Sequence, residues 1–235
     1  MSLKKSRILF EDNHLIIVNK LAGELVQGDY TGDQPLVEVV REYIRTQYNK
    51  PGNVFTGLVH RLDRPTSGIV VFAKTSKALS RMNAIFEKRE VDKRYWALVR
   101  ENPPKNSERL LHYLRKDGSK NKSFVFDKEQ KGVKKAALTY TILAKSESYK
   151  LLEIELETGR HHQIRVQLAA IGCPIKGDLK YGFPRSNRDA SISLHARSIS
   201  FQHPVSKEIL AIKAPLPDSD NVWKYFNSLE ISNIN

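Results

Sequence analysis

The amino-acid sequence predicts an α+β fold built on a large, mixed and mostly antiparallel sheet with flanking helices. Many short segments rich in β-branched and aromatic residues are separated by turn residues, which is typical of strands. A few segments with apolar residues at helical spacing are scattered between them. In residues 149–157, Leu152, Ile154 and Leu156 alternate with glutamates, the pattern of a half-buried strand. No linker divides the chain, so we predict a single domain over residues 1–235.

The first third of the chain predicts two helices among short strands. Residues 7–20 read as two strands around an Asp-Asn turn, and residues 69–72 as a further strand. Pro35 is predicted near the start of the first helix, and Ser76 is predicted to cap the second. The two helices have their predicted apolar faces at Leu36, Val39, Val40, Tyr43 and Ile44, and at Leu79, Met82, Ile85 and Phe86.

The rest of the chain predicts a strand-rich region with two more helices. Residues 160–172 read as a helix that ends at Gly172, and Asp218 or Ser219 is predicted to cap the last helix. Residues 108–134 hold short strand-like pieces and many lysines, which indicates either a solvated basic hairpin or a surface that contacts RNA. Strands are predicted at residues 93–100, 136–145, 149–157, 193–201 and 207–215.

The charge balance favours a polyanionic partner. Lys+Arg is 39 and Asp+Glu is 26, which gives a net charge of +13, and such an excess indicates nucleic acid or an anionic membrane surface. No run of eighteen apolar residues occurs, so we predict no membrane span. The N-terminus does not resemble a signal peptide, and we expect a soluble, cytoplasmic protein. Cys173 is the single cysteine, which excludes an internal disulfide and a cysteine metal cluster.

Other common kinds of site are not indicated. The histidines are scattered, with no His-Glu-x-x-His spacing, and adjacent His161 and His162 would point to different faces of a helix. The glycine-rich loops that bind nucleotides do not occur. We therefore predict no metal and no cofactor. A hydrolase that uses Ser67 stays open, although Ser67 lacks the sequence of a nucleophile elbow.

The most distinctive stretch is His-Arg-Leu-Asp-Arg-Pro-Thr-Ser-Gly at residues 60–68. It places Asp63 between Arg61 and Arg64, and such neighbours are expected to lower the pKa of a carboxyl group and keep it ionised. An ionised carboxylate suits a nucleophile or a charge clamp. The alternative is a surface ion pair that precedes a strand.

Three further groups of residues could complete a site for one flipped base. They are Tyr95 beside Lys93 and Arg94, the segment 160–165, and the Gly-Asp-x-x-Tyr-Gly loop at 177–182. An aromatic ring stacks on an extruded base, and arginines hold phosphates or orient a carboxylate. The alternatives are that Tyr95 is a core residue of its strand and that Arg165 faces solvent.

Taken together, these stretches resemble the RluA-type family of RNA pseudouridine synthases. The resemblance spans nearly the whole chain, because the ordered motifs all match. They are HRLDRPTSG, KRYWALV, TGRHHQIRV, GDLKYG, LHA and the turn at His203-Pro204. The resemblance implies the pseudouridine synthase fold with a central catalytic cleft, and isomerisation of a uridine in ribosomal or transfer RNA without cofactor or metal.

The resemblance also implies roles for individual residues. Asp63 would be the nucleophile and would attack either the uracil ring or the ribose, and both remain open. Tyr95 would stack on the target base and take its proton, and Arg165 would pair with the catalytic carboxylate. Arg61 would help to open the RNA. The other residues expected to bind RNA are His60, Arg64, Lys93, Arg160, His162 and Gln163.

Two positions depart from the family pattern. Leu21 follows Lys20 where a proline is usual, so this loop is expected to be less rigid. Gln167 stands where a histidine is common, and an altered contact is expected.

The chain is also expected to lack a separate N-terminal RNA-binding domain, to act as a monomer and to need no protein partner. A non-catalytic RNA-binding factor and a basic hydrolase remain as alternative functions.

Overall fold

The structure is a computed structural model that describes residues 3–218 and 220–232. Within these residues the chain forms four α-helices and eleven strands, so the predicted α+β class is confirmed. Every strand pair with a described register is antiparallel. The described chain divides into two compact units, and the prediction of one domain stays a prediction.

Unit 1 comprises the described residues of 1–92 and 196–215. Its strands run in the order β1-β2-β4-β10, with β3 beside β4 and β11 beside β10. The helix α1 buries its apolar stripe against Ile16, Val18, Val70 and Phe72 of β2 and β4. These elements are β1 (Ile8–Glu11), β2 (Leu15–Lys20), α1 (Leu36–Gln47), β3 (Gly57–Leu58), β4 (Ser67–Ala73), α2 (Ser76–Glu87), β10 (Leu194–Gln202, in unit 1 from Ala196) and β11 (Ile209–Lys213).

Unit 2 comprises the described residues of 93–195 and 216–235, and its strands run in the order β5-β9-β8-β6-β7. Trp223 and Phe226 of α4 pack on Trp96 and Leu98 of β5. The helix α3 packs through Val166 on Leu114 and Ala136. The elements are β5 (Val91–Val99), β6 (Ser107–Asp117), β7 (Lys122–Phe126), β8 (Lys134–Lys145), β9 (Lys150–Leu156), α3 (Gln163–Ala170) and α4 (Asn221–Ser232).

Several predicted helix ends differ by a residue or more. The cap of α2 is Thr75, whose hydroxyl accepts a hydrogen bond from the Ala78 amide at 3.1 Å, and Ser76 is already helical. At α4 the Asp220 carboxylate accepts from the Val222 amide at 2.8 Å. The predicted cap at Asp218 is therefore wrong, and Ser219 lies outside the described residues. Local sequence permits a cap at several neighbouring Ser, Thr or Asp residues, and the chain's path into the helix selects one.

Candidate active site

The signature loop at residues 60–66 is held in unit 1 by a buried lysine. Lys20 lies at the end of β2 and is 0% exposed. Its ammonium donates to the carbonyls of Leu21 at 3.0 Å, Arg64 at 3.0 Å and Thr66 at 2.6 Å. Three donors on one nitrogen thus tie the residues that follow Asp63 to the end of β2, and the turn is closed by a bond from the Thr66 amide to the Asp63 carbonyl at 3.0 Å.

Burial has an electrostatic cost for this lysine. Desolvation lowers the pKa of Lys20 to about 7 from its ordinary value of 10.5, and the charges of Glu24 and Asp63 oppose that change. The chain thus buries an ammonium group to hold a loop that contains a carboxylate. Sequence reasoning missed this role, although a lysine at the end of the apolar run Leu15–Lys20 was a visible signal.

A second set of contacts links the loop to residues 21–24. The Gly23 amide donates to the Arg64 carbonyl at 2.8 Å, and the Arg64 guanidinium donates back to the Gly23 carbonyl at 3.0 Å. Arg64 also pairs with Asp33 at 2.6 Å. The Leu21 amide donates to the Glu24 carboxylate at 2.8 Å, a bond that proline could not make. The leucine at the usual proline position therefore supplies a hydrogen bond that restrains this loop.

The remaining residues of the loop differ in exposure. Arg61 is exposed, whereas His60 and Asp63 are half-buried. The His60 ring stacks on Phe86 with centroids 5.2 Å apart, and its Nε2 accepts from the Val71 amide at 3.2 Å. This contact requires that Nε2 be unprotonated. His60 therefore ties the start of the loop to α2 and β4, and its predicted contact with RNA stays a prediction.

In unit 2, Tyr95 lies on the same face of the sheet as α3. Tyr95 is paired with Ile154, and Ile154 with Tyr140, and directly opposed residues share a face. Ala136 lies on that face of β8 and contacts α3. Tyr95 is 8% exposed and points away from the cluster around α4. Lys93 shares the face of Tyr95, and burial lowers its pKa.

Arg165 is held in the first turn of α3 by a buried carboxylate. Its Nε and Nη2 donate to the two oxygens of Asp178 at 2.7 and 2.9 Å. The side chains of Arg165 and Asp178 are 5% and 1% exposed. The Tyr181 ring lies beneath the guanidinium, with Cζ 5.1 Å from the ring centroid. The structure thus excludes the solvent-facing alternative for Arg165, and sequence reasoning did not foresee Asp178 as its partner.

His161 and His162 precede α3, so the expectation that they point to different faces of a helix is wrong. Their rings stack with centroids 3.7 Å apart. His162 adopts a left-handed conformation with φ of 53°, which directs the chain into the helix. Burial, followed by the charge of Arg165, lowers the pKa of His162 to about 2. His162 is therefore neutral at physiological pH, and its Nδ1 lies 2.9 Å from the Tyr181 hydroxyl.

Gln163 and Arg160 connect the start of α3 to β8. Gln163 is 3% exposed, and its amide nitrogen donates to the Ala137 carbonyl at 3.0 Å. Its carbonyl oxygen accepts from the Arg160 amide at 2.9 Å and the Thr158 hydroxyl at 2.7 Å. The exposed Arg160 donates through Nε to the Lys135 carbonyl at 3.1 Å. Both residues brace the turn before the helix, and their predicted RNA contacts stay predictions.

Gln167, the second departure from the family pattern, is fully buried in α3. Its amide nitrogen approaches the Leu110 carbonyl at 3.4 Å, the Ala136 carbonyl at 3.3 Å and His112 Nδ1 at 3.0 Å. Among the described residues its side-chain oxygen has no hydrogen-bond partner. Gln167 therefore joins α3 to β6 and β8, and because it lies two residues after Arg165 it is on a different face of the helix from Arg165.

Comparison with known proteins gives the chain a family. Residues 14–170 match the family described as RNA pseudouridylate synthase. The tRNA pseudouridine synthase C of Vibrio cholerae is 34% identical over 235 residues, covering 92% of this chain and 92% of that protein. The ribosomal large subunit pseudouridine synthase D of Zymomonas mobilis is 32% identical over 240 residues, covering 97% and 74%. The chain belongs to the RNA pseudouridylate synthase family.

A solved structure supports the same fold. Human RNA Pseudouridylate Synthase Domain Containing 4 superposes with a TM-score of 0.76 at 24% identity, over 91% of this chain and 89% of that one. The RNA pseudouridylate synthases are isomerases that act on uridine in RNA, so the predicted enzyme class and the predicted resemblance are both confirmed.

Two features are absent from the part of the chain that the structure describes. No group of three or more His, Cys, Asp or Glu side chains within residues 3–218 and 220–232 is arranged to hold a metal ion. In the same part of the chain no helix is long and apolar enough to cross a membrane. A polyanionic partner of an RNA pseudouridylate synthase is RNA, which accounts for the excess of positive charge.

The lysine-rich region of this synthase is a hairpin of β6 and β7 in which cations lie against aromatic rings. Arg115 Cζ is 4.7 Å from the centroid of Phe126, and Lys122 Nζ is 5.9 Å from that of Phe124. Phe124 is 37% exposed. Cationic and aromatic groups in alternation are the usual components of a surface that binds single-stranded RNA. Both predictions for residues 108–134, a solvated basic hairpin and a surface that contacts RNA, therefore remain open.

Proposed function

We propose that this synthase modifies a uridine in ribosomal or transfer RNA with Asp63 as its nucleophile. The names of the relatives support the substrate class, since one is named a tRNA pseudouridine synthase and another a ribosomal large subunit pseudouridine synthase. The observation that carries the nucleophile is the anchoring of the Asp63 turn by Lys20, which donates to three backbone carbonyls. A loop fixed in this way presents its carboxylate in one geometry.

The proposed reaction conserves every atom of the substrate. The Asp63 carboxylate adds either to the uracil ring or to the ribose, the bond between C1′ and N1 breaks, and the base turns. A bond forms between C1′ and C5, the carboxylate is released, C5 loses its proton and N1 gains one. Tyr95 stacks on the base and accepts the C5 proton, and Arg165 stabilises the negative charge of the reacting carboxylate. No redox partner or energy source enters this balance.

The basic residues are proposed to hold the RNA. Arg61 is exposed and precedes Asp63 by two positions, and it is proposed to occupy the space that the flipped base leaves. We assign contacts with the RNA phosphates to Arg64, Lys93 and Arg160. Contacts with neighbouring polar groups of the RNA are assigned to His60, His162 and Gln163. We also propose that the enzyme acts in the cytoplasm as a monomer without an obligatory protein partner.

The test is pseudouridine mapping of total RNA. RNA from a deletion strain is compared with RNA from strains restored by wild type, Asp63→Asn or Asp127→Ala, and carbodiimide adducts are read as stops in reverse transcription. Asp127 is an exposed carboxylate at the end of β7 and serves as the matched control. We expect one set of sites to be lost on deletion and restored by wild type and Asp127→Ala only. Restoration by Asp63→Asn would refute the nucleophile.

A further inference from the structure

The loop at residues 177–182 is built as a rigid platform. Both of its glycines have positive φ, 87° for Gly177 and 100° for Gly182. A Cβ on Gly177 would lie 2.7 Å from the Ser191 carbonyl oxygen, so a larger residue does not fit. Between the glycines, the Asp178 carbonyl accepts from the amides of Tyr181 at 3.1 Å and Phe183 at 3.0 Å. The backbone of Asp178 and Tyr181 is therefore held in place independently of the contacts that their side chains make.

Both polar side chains of this loop are directed to Arg165. Asp178 engages two nitrogens of the guanidinium, and the pair is buried. A planar, two-point contact fixes the orientation of the guanidinium as well as its position. The Tyr181 ring covers the guanidinium at 5.1 Å, which restricts it from a third direction.

The Tyr181 hydroxyl reaches past Arg165 to the start of the helix. It accepts a hydrogen bond from the Ser123 amide of β7 at 2.8 Å. Its own proton can then be donated to His162 Nδ1, which lies 2.9 Å away. The His162 carbonyl accepts from the Val166 amide at 3.0 Å and so forms part of the first turn of α3. One tyrosine thus contacts both the guanidinium of Arg165 and the residue that begins its helix.

We propose that Asp178 and Tyr181 are positioning residues that hold the Arg165 guanidinium in its reactive orientation. The inference rests on the proposed function, in which Arg165 acts on the reacting carboxylate. Asp178 fixes the plane of the guanidinium, and the Tyr181 hydroxyl fixes the helix end from which Arg165 projects. Neither residue needs to touch RNA for this role.

The test compares kcat and KM of the full-length enzyme on an RNA substrate identified by the mapping above. Tyr181→Phe removes the hydroxyl and keeps the ring, and Asp178→Asn keeps the shape and removes the charge. Since small misplacements of a reacting group cost roughly 10- to 100-fold in rate, we expect kcat to fall about tenfold in Tyr181→Phe and more in Asp178→Asn, with KM nearly unchanged. Tyr181→Phe keeps the test possible if Asp178→Asn does not fold.

The matched control is Tyr140→Phe, in the same unit. The Tyr140 hydroxyl is also bonded, to the Lys105 amide and the Glu108 carboxylate, both at 3.4 Å. Its loss should lower the unfolding midpoint and leave kcat at the wild-type value. Equal loss of kcat in Tyr140→Phe and Tyr181→Phe would show a general structural effect and would overturn the proposal.

A double-mutant cycle separates this inference from the proposed function. If Tyr181 acts through Arg165, then Tyr181→Phe should lower kcat in wild type and cause no further loss in the Arg165→Ala background. An unchanged tenfold loss in that background would overturn the positioning role and leave the role of Arg165 intact. Wild-type kcat in Arg165→Ala alone would overturn both.

Discussion

Gly68 follows the signature loop and is expected to tolerate no side chain. Its φ is 111°, which residues with a Cβ rarely adopt. A Cβ built there would lie 2.3 Å from the carbonyl oxygen and 2.5 Å from the nitrogen of Ala196 in β10. The carbonyl would have to retreat by roughly 0.7 Å to restore a separation of 3.0 Å. Because Ala196 is held in the sheet beside β4, that movement disturbs strand pairing.

The cost of Gly68→Ala has two parts, the backbone strain of a positive φ and the displacement of Ala196 by the new Cβ. A strained backbone conformation costs about 1–3 kcal/mol, and forced displacement in a packed region costs a similar amount. We therefore expect Gly68→Ala to lose about 2–6 kcal/mol of unfolding free energy, a large share of the roughly 5–15 kcal/mol of a typical domain. Equilibrium unfolding in urea, followed by circular dichroism, measures this loss.

Two other glycines of unit 1 serve to separate the cost of backbone strain from the cost of the steric clash. Gly23 has φ of 89° with no heavy atom within 4 Å of a built Cβ, so Gly23→Ala should show only the conformational cost of about 1–2 kcal/mol. Gly28 has neither feature, since its nearest atom is Pro35 Cγ at 4.0 Å, and Gly28→Ala should change stability by less than about 0.5 kcal/mol. Equal losses for Gly68→Ala and Gly23→Ala would refute the steric reasoning.

Three other predictions concern pH, capping and salt. The pKa of Lys20 is about 7 in the native state and has its ordinary value of 10.5 in the unfolded chain. Between these two pH values the unfolded chain holds a proton at Lys20 that the native state has lost, so the free energy of unfolding rises with pH across this window. The difference between the urea midpoint of wild type and that of Lys20→Met should therefore change in favour of wild type between pH 7 and 9. A difference that stays constant over this range would contradict the prediction. Thr75→Ala should cost about 1 kcal/mol through loss of the α2 cap, whereas Ser76→Ala should cost nearly nothing by the same urea assay. Lys122→Gln should reduce the slope of log affinity against log salt for RNA by about 1, and the exposed Lys145→Gln should leave it unchanged if the hairpin contacts phosphates.

The less rigid loop expected at Leu21 stays a prediction, and the structure adds a contact that the position alone does not show. Loss of the usual proline predicts a freer loop, because proline restricts φ. A leucine has an amide proton, however, and in the folded chain a Glu24 carboxylate oxygen lies 2.8 Å from the Leu21 amide nitrogen and accepts it. Whether that proton is used depends on Glu24, which is itself held by Arg7 at 2.9 Å. Sequence alone gives no access to this arrangement.

The sequence by itself determined the fold class, most strands and helices, and the family. Alternation in Lys150–Leu156 and the apolar spacing of Leu36–Gln47 are local patterns, set by which face of a strand or helix must be buried. The ordered motifs around Asp63, Tyr95 and Arg165 were equally readable, because their residue types are close together in the chain.

Only the tertiary structure decided what holds those residues. Lys20 and Thr66 are 46 positions apart, and Ser123 and Tyr181 are 58 apart, yet each pair is joined by a hydrogen bond. Partners at such separations are selected by strand pairing and loop closure, which no local pattern records. Burial then changes their chemistry, since desolvation lowers the pKa of Lys20 and keeps His162 neutral.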